Sequence, residues 1–216
     1  MSAVGNALVV ESELPGPALL RNLNGLSAEV FFTATTLVPE EFSVRRAVRR
    51  EYRYFEPTPS SRWEGWQRAG SLFQGRVDVR SFGRALPADT PQWRSIESLE
   101  VTPGPKGLLV EVRAPSFVWG MVRKIVGALR EVDRGRLTLT RLSAALSGQE
   151  RLMLPMAEPE PLVLWDVQYP FRWEYLWSGP NRHQARWWES SRAQAQTRQR
   201  VLEAIAEGRS ASAPIS

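Results

Sequence analysis

The residues best suited to chemistry in this sequence are arginines that stand beside aromatic side chains. Five arginines lie within nine positions and run into Tyr52-Arg53-Tyr54-Phe55. Arginine binds phosphate through paired hydrogen bonds and stacks on nucleobases, and tyrosine adds a stacking face. The pattern is typical of an RNA-binding segment, although a solvated basic turn before a core strand would also show it. The five arginines are Arg45, Arg46, Arg49, Arg50 and Arg53.

A second candidate for chemistry is Arg123, in the mainly apolar stretch 117–127. At about 100° per residue, the apolar side chains of 117–129 share one helical arc, and Arg123 falls opposite them. Gly120 and Gly127 lie close to Arg123 in this projection. Because glycine weakens a helix interior by about 1 kcal/mol relative to alanine, we expect this face to admit another backbone, or nucleic acid, beside the guanidinium. A core helix with a solvated arginine is the alternative.

Several other kinds of chemistry lack their residues here. The sequence has no cysteine, which excludes a disulfide scaffold, thiolate metal sites and a cysteine nucleophile. A single histidine, His183, argues against a histidine-rich metal site and a Ser-His-Asp triad. We therefore expect no metal and no cofactor. No apolar run approaches the ~20 residues of a membrane span and no signal-peptide pattern is present, so we expect a cytoplasmic protein.

The overall charge favours an acidic partner. The net charge is +5, the pI is near 10.2, and all of the 28 basic residues except Lys106 and Lys124 are arginine. Together with nine tryptophans, this composition suits RNA. A GC-rich genome would also favour arginine over lysine, so the bias has a second explanation.

The strands that would position these residues can be predicted from alternation. Tyr52 and Tyr54 are expected to share one strand face, with Arg53 on the other. Residues 95–102 and 108–114 flank a turn rich in proline and glycine, which predicts a hairpin. Residues 162–169 predict a strand with Val163, Trp165 and Val167 on one face, and further extended segments are expected at 1–10, 29–38, 77–82 and 152–161.

Helices are predicted between these strands. Residues 63–74 should form a helix that is capped by Gly75. Thr138 should cap another that ends at Gly148, and a short helical patch at 18–23 should end at the Asn24-Gly25 turn signal. A last helix is expected at 184–206, before a disordered end at 208–216. The first helix should bury Trp66, Ala69, Gly70 and Phe73.

This mixture of elements predicts an α+β fold of mostly antiparallel sheets flanked by helices. We divide the chain into residues 1–56, residues 57–170, and an Arg- and Trp-rich extension at 171–216. The residues by themselves indicate a basic α+β protein that binds RNA, and they leave its activity open.

Five stretches, taken in order, resemble the motifs of one family. The stretch 117–127 is similar to Phe-x-x-x-Met-Val-Arg-x-Ile-Val-Gly, and 50–54 to Arg-x-Tyr-x-Tyr. The segment from Gly75 through Asp78 to Ser81-Phe82 resembles Gly-x-x-Asp-x-x-Ser-Phe, and 162–170 resembles a strand that closes an active site. Ala3-Val4-Gly5-Asn6 resembles residues that follow Gly-Arg-Thr-Asp-x-Gly-Val. The family is the tRNA pseudouridine synthase A family, in its archaeal form.

The resemblance implies an isomerase that converts uridine to pseudouridine in the anticodon stem-loop of tRNA. The family uses a catalytic aspartate and no metal or cofactor. Its pseudouridine synthase fold has two α+β halves with a basic RNA-binding cleft, and it is homodimeric. Residues 1–56 would then be a remnant of the N-terminal half.

The resemblance also assigns roles to residues. Tyr52 would pack on the target base and assist proton removal, Arg123 would pair with the catalytic aspartate, and Leu162 would line the base pocket. A guanidinium favours an ionised carboxylate, tyrosine stacks, and a flipped base needs an apolar wall. The expected RNA-binding residues are Arg45, Arg46, Arg49, Arg50, Arg53 and Lys124.

The sequence departs from the family pattern at several places. Pro161 stands where glycine is usual and Val79 where an aromatic is usual, and no Gly-Arg-Thr-Asp occurs in the 216 residues. The arginine cluster is also one residue shorter than in bacterial members. We therefore expect a reading frame truncated at its start, with a GTG first codon and an upstream aspartate three residues before Met1. The chain as written should be inactive.

Two other interpretations remain open at this point. A non-catalytic paralogue that holds tRNA would share the basic residues, although it has little need of a pocket arginine. An RNA-associated structural protein with a chance likeness is the other. An in-frame Gly-Arg-Thr-Asp in the upstream DNA, and a native mass well above 24.4 kDa, would favour the enzyme.

Overall fold

The computed structural model describes residues 2–177 and 179–206. No helix in these two ranges is long and apolar enough to cross a membrane. In chain order the elements are β1 (Ser2–Ala3), α1 (Gly16–Leu26), β2 (Ala34–Thr35), β3 (Arg49–Glu56), α2 (Trp63–Ser71), β4 (Gly75–Asp78), β5 (Trp93–Ile96), β6 (Ser98–Gly104), β7 (Gly107–Ala114), α3 (Met121–Asp133), α4 (Leu139–Leu146), β8 (Leu162–Gln168), β9 (Glu174–Tyr175) and α5 (Arg182–Ala206).

The chain forms two compact units. The first comprises Met1–Val9 and Glu41–Pro170, and the second comprises Val10–Glu40 and Phe171–Ser216. This division differs from the predicted segments, because 1–56 is shared between the units. The reason is that β3 hydrogen-bonds to strands from the second predicted segment and belongs to their sheet.

The first unit is built on a five-stranded sheet with the order β1-β8-β3-β7-β6. All neighbours are antiparallel except β1, which runs parallel to β8. The predicted α+β class and the β6–β7 hairpin are therefore confirmed. Tyr54 is fully buried and Tyr52 packs against the same core. Arg53 lies on the opposite face, 3.8 Å above the Trp165 ring, as the alternation predicts.

A β-bulge makes the predicted face of β8 wrong. Glu51 pairs with Asp166 but Tyr52 pairs with Leu164, so Trp165 is an extra residue in the ladder. Across a bulge the side-chain alternation shifts by one position. Leu162 and Leu164 therefore share the buried face with Val167, whereas Val163 and Trp165 lie on the other face.

The helix α2 confirms its predicted buried face. Trp66, Ala69 and Gly70 are buried along α2, and Phe73 is buried just beyond it. Gly75 is not the C-cap, which is Leu72. Gly75 instead begins β4, with a φ of 96°. The Thr138 cap of α4 is confirmed, since its hydroxyl accepts a hydrogen bond from the Arg141 N–H at 3.3 Å.

The start of α3 also differs from the prediction. The helix begins at Met121, and Gly120 is its N-cap with a left-handed φ of 78°. Residues 117–120 are therefore not helical, because a left-handed residue cannot continue a right-handed helix. Within α3, the predicted apolar arc is buried, from Met121 to Leu129.

Two predicted strands shrink in the structure. The strand expected at 1–10 is reduced to Ser2–Ala3, and its continuation is exposed, with Val4 67% accessible. The strand expected at 29–38 is reduced to Ala34–Thr35, which pairs with β9 in the second unit. In both cases apolar composition indicates a strand, but no partner strand among residues 2–177 and 179–206 extends the pairing.

In the second unit, side-chain hydrogen bonds decide the local structure. The Asn24-Gly25 turn prediction is wrong, because α1 continues through both residues. Asn24 instead exchanges two 2.9 Å hydrogen bonds with the Phe32 backbone. Gln184 on α5 is 1% exposed and donates to Asn24 Oδ1 and to Val30 O. The predicted α5 is confirmed, and the disorder predicted for 208–216 lies outside the described residues.

Candidate functional site

Tyr52 is placed in the middle of the sheet of the first unit. It pairs with Val112 on one side and Leu164 on the other. Its ring meets the edge of Phe117 at a centroid distance of 5.0 Å and an angle of 86°. Burial raises the pKa of the Tyr52 hydroxyl, and Arg50 opposes that shift. The hydroxyl is therefore protonated at neutral pH, so Tyr52 offers a ring face and a polar tip instead of a phenolate base.

Leu162 lies close to Tyr52 on the same sheet face. It begins β8 opposite Tyr54, one diagonal step from Tyr52 across the ladder. Diagonal neighbours on one face of an antiparallel pair are about 7–8 Å apart, within reach of an aromatic side chain. Leu162 is 6% exposed. The structure therefore brings together the predicted stacking residue and the predicted apolar wall.

Arg123 is held in place by the segment that leads into β8. Its Nε donates to Ala157 O at 2.5 Å, and Ala157 N donates back to Arg123 O at 3.1 Å. Among the described residues, its two Nη groups have no hydrogen-bond or ion-pair partner. Arg123 thus keeps four N–H donors available for a ligand, and Ala157, which holds it, lies five positions before Leu162.

Gly127, on the same face of α3 as Arg123, allows the segment 155–157 to approach the helix closely. A Cβ on Gly127 would lie 2.0 Å from Pro155 O. The prediction of a close backbone approach beside Arg123 is therefore confirmed, and the backbone is the protein's own.

A partly buried ionic cluster two turns further along α3 is absent from the sequence prediction. Arg130 Nε donates to Glu56 Oε2 at 2.9 Å, and its Nη1 donates to Glu158 Oε2 at 2.6 Å. The Tyr54 hydroxyl donates to Glu158 Oε2 at 3.3 Å. Glu56 is 5% exposed. The sequence does contain a signal for this cluster. Arg130 lies seven positions after Arg123, and residues seven apart share a helix face.

This cluster predicts a pH dependence of stability. Burial raises the pKa of Tyr54 to about 12, against the opposing effect of Arg130. A raised folded-state pKa contributes stability that is complete below pH 10 and is lost towards pH 12. Between pH 9 and 11 the unfolding free energy of the wild type should therefore fall by about 1–2 kcal/mol more than that of Tyr54→Phe. Urea unfolding at each pH measures this, with the exposed Tyr175→Phe as control. Parallel curves for Tyr54→Phe and the wild type would contradict the assignment.

The five clustered arginines separate into two groups. Arg50 donates to the carbonyl oxygens of Pro115, Val44 and Arg45 at 2.7, 3.1 and 2.9 Å. Arg53 lies 2.9 Å from both Glu51 and Glu111. These two guanidinium groups are therefore engaged within the protein. Arg49 has a distant partner, Glu97 at 3.8 Å, and the side chains of Arg45 and Arg46 are exposed.

Exposure makes Arg45 and Arg46 the strongest candidates of the cluster for phosphate contacts. The double variant Arg45→Ala/Arg46→Ala should lower the log–log salt slope of tRNA binding by about 1.4–1.8, since each phosphate contact adds about 0.7–0.9. The measurement is a binding titration between 50 and 200 mM salt. Arg141→Ala, which removes an exposed arginine paired with Glu150, should leave the slope unchanged. An unchanged slope in the double variant would show that the cluster is solvated surface.

Lys124 faces a different loop. Its Nζ donates to Ser81 O at 3.3 Å. Burial lowers the pKa of the Lys124 amine, and the nearby Arg151 lowers it further. The amine is therefore close to the surface formed by the 79–92 loop.

Asp78, in the Gly-x-x-Asp-x-x-Ser-Phe signature, has a structural role. It is 1% exposed and accepts hydrogen bonds from Arg80 N at 2.8 Å and Gln92 Nε2 at 2.6 Å. Burial acts to raise the pKa of the Asp78 carboxyl, but hydrogen bonds from Arg80 and Gln92 bring it below its usual range. Its oxygens hold the 79–92 loop and are not exposed to a substrate.

A mixed α+β fold that groups Tyr52 and Leu162 on one sheet face, with Arg123 on an adjoining helix, is consistent with the pseudouridine synthase class. The family model described as tRNA pseudouridine synthase matches residues 69–170. Over these residues the chain is similar to the tRNA pseudouridine synthase family.

Curated relatives agree with this family. The chain is similar to proteins named tRNA pseudouridine synthase A: 35% identical over 162 residues in Thermococcus kodakarensis, and 35% over 173 residues in Pyrococcus abyssi. A relative from Methanoculleus marisnigri is 32% identical over 161 residues. These matches cover 74%, 78% and 73% of this chain, and 60%, 65% and 58% of the relatives. The chain thus spans about three fifths of their length.

Proposed function

We propose that this protein isomerises uridine to pseudouridine in the anticodon stem-loop of tRNA. One observation supports this most directly: Arg123 is fixed through Nε to Ala157 O, with both Nη groups unpaired within the described residues. The segment that fixes it leads straight to Leu162, which lies beside Tyr52. A guanidinium, an aromatic face and an apolar wall are what a flipped uridine and an anionic nucleophile require.

Each residue has a chemical task in the proposed reaction. The aspartate carboxylate attacks C1′ of the nucleoside as the C–N glycosidic bond breaks. The base then rejoins C1′ through its C5, which displaces the carboxylate, and the C5 proton is released. The Arg123 Nη groups favour the ionised carboxylate, Tyr52 stacks on the base, and Leu162 excludes water. The aspartate motif itself, Gly-Arg-Thr-Asp, does not occur in these 216 residues.

The partner in this proposal is tRNA, bound through exposed arginines at 45 and 46. We also propose that the protein acts as a homodimer in the cytoplasm, as the family resemblance implies. The net charge of +5 supports a polyanionic partner.

The experiment is tritium release from tRNA labelled at the uracil C5. Protein purified from its own host through a C-terminal tag should bind tRNA and release tritium. If the host protein binds tRNA but releases none, the second candidate holds, a non-catalytic tRNA-binding paralogue. The missing Gly-Arg-Thr-Asp motif is the observation that favours that candidate.

A further inference from the structure

Trp119 is a large aromatic side chain that the fold leaves on the surface. It is 62% exposed and lies directly before the Gly120 cap of α3. The Arg84 guanidinium lies 4.6 Å from its ring centroid, and Arg84 N donates to Trp119 O at 2.9 Å. The backbone bond fixes the two loops together, and the guanidinium rests on the ring. The result is a planar, cationic surface that is formed before any ligand arrives.

The charge around Trp119 is positive. Within residues 2–177 and 179–206, neither Arg84 nor Arg151 forms an ion pair. Lys124 N donates to Gly120 O, and its amine is close enough to Arg151 for the two charges to interact. A cavity of about 360 Å³ lies along the 79–92 loop, which contains Arg84. The charged residues that line this cavity are Arg80 and Arg151. Since Asp78 already neutralises Arg80, Arg151 supplies the unpaired charge there.

The position of Trp119 relates it to the proposed pocket. Phe117, two residues earlier, meets Tyr52 edge-on at 5.0 Å. Two residues of chain span at most about 7 Å, which is close to the spacing between neighbouring nucleotides on one strand. A base adjacent to the flipped uridine would therefore reach Trp119 while the uridine contacts Tyr52.

We propose that Trp119 and Arg84 form a stacking platform for the unpaired base that neighbours the target uridine, with Arg151 contacting its phosphate. This inference rests on the proposed function and adds to it a residue pair that selects single-stranded RNA. Every base has a π-face, so an indole and a guanidinium stack on any of them. The surface carries one aromatic ring among arginines instead of a broad apolar patch, which favours a nucleotide over a protein partner.

The test is fluorescence anisotropy of the 216-residue chain with two labelled RNAs. One is an anticodon stem-loop of 17 nucleotides, and the other is a blunt duplex of equal charge. Trp119→Ala should weaken stem-loop binding about tenfold, because one stacked base is lost. Duplex binding and the salt slope should not change. Trp119→Phe should retain most of the affinity, and Trp63→Ala, which removes another exposed tryptophan, should have no effect.

Arg151→Gln separates the electrostatic part of the platform from stacking. It should lower the salt slope for the stem-loop by about 0.7, the contribution of one phosphate contact on a single strand.

The outcomes discriminate between the two levels of the proposal. If the wild-type chain binds neither RNA, the proposed function fails and the platform with it. If the wild type binds the stem-loop and Trp119→Ala binds it equally well, the platform alone is refuted. An equal loss on the duplex would also refute the platform, because it would show that no unpaired base is read.

Discussion

Replacing Gly127 by alanine is expected to lower the unfolding free energy by about 3 kcal/mol or more, the upper range for overpacking. The added Cβ would lie 2.0 Å from Pro155 O and 3.0 Å from Pro155 C. Both atoms belong to the backbone, so no side-chain rotation relieves the clash. Either α3 or the segment 155–157 must move, and Arg123 is hydrogen-bonded to that segment.

The matched control for this substitution is Gly65→Ala. Gly65 also lies inside a helix, α2, and a Cβ there meets nothing within 4 Å. It should therefore stabilise the protein by about 0.5–1 kcal/mol, the ordinary helix preference for alanine. Urea unfolding followed by tryptophan fluorescence measures both variants. If Gly127→Ala were as stable as Gly65→Ala, the close packing of α3 on the Pro155 backbone would be wrong.

The second large effect concerns turnover. In the host-purified protein, Arg123→Ala should reduce tritium release at least about a hundredfold, the cost of losing a donor aimed at developing or reactive charge. Binding of tRNA should stay within about threefold, because affinity is spread over many phosphate contacts. The loss of one hydrogen bond to Ala157 O should cost stability by about 1–2 kcal/mol.

Two further variants separate charge from position at Arg123. Arg123→Lys keeps the charge but loses the planar donors, and it should recover part of the turnover and none of the Nε contact. Arg136→Ala removes an exposed arginine that pairs with Glu131 and should leave turnover unchanged. Wild-type turnover in Arg123→Ala would refute the role assigned to this residue.

Local patterns in the sequence were sufficient for much of the first unit. The buried arc of α3, the β6–β7 hairpin and the opposed faces of Tyr52 and Arg53 all follow from periodicity, because burial of one face fixes a helix or strand. The family motifs, read in order, led to the same family as the comparisons.

Other features depend on contacts that no local pattern contains. The bulge at Trp165 arises from the ladder with β3, which lies more than a hundred residues earlier. The contact of Arg50 with Pro115 O joins residues 65 positions apart, so composition alone could not separate it from the exposed Arg45. Gly120 fits the helical period of the sequence, but in the structure it has a left-handed φ. It ends the loop before α3 and is not part of the helix.

The spacing of contacts along α3 has a consequence for how the site binds its ligand. Arg123, Gly127 and Arg130 meet Ala157, Pro155 and Glu158 at intervals of about one helical turn. A rotation of the helix or a shift of the segment would break all three contacts together, so the arrangement has one discrete position. The guanidinium of Arg123 therefore loses most of its orientational entropy during folding. A substrate that meets an already oriented cation keeps more of its interaction free energy for affinity and catalysis.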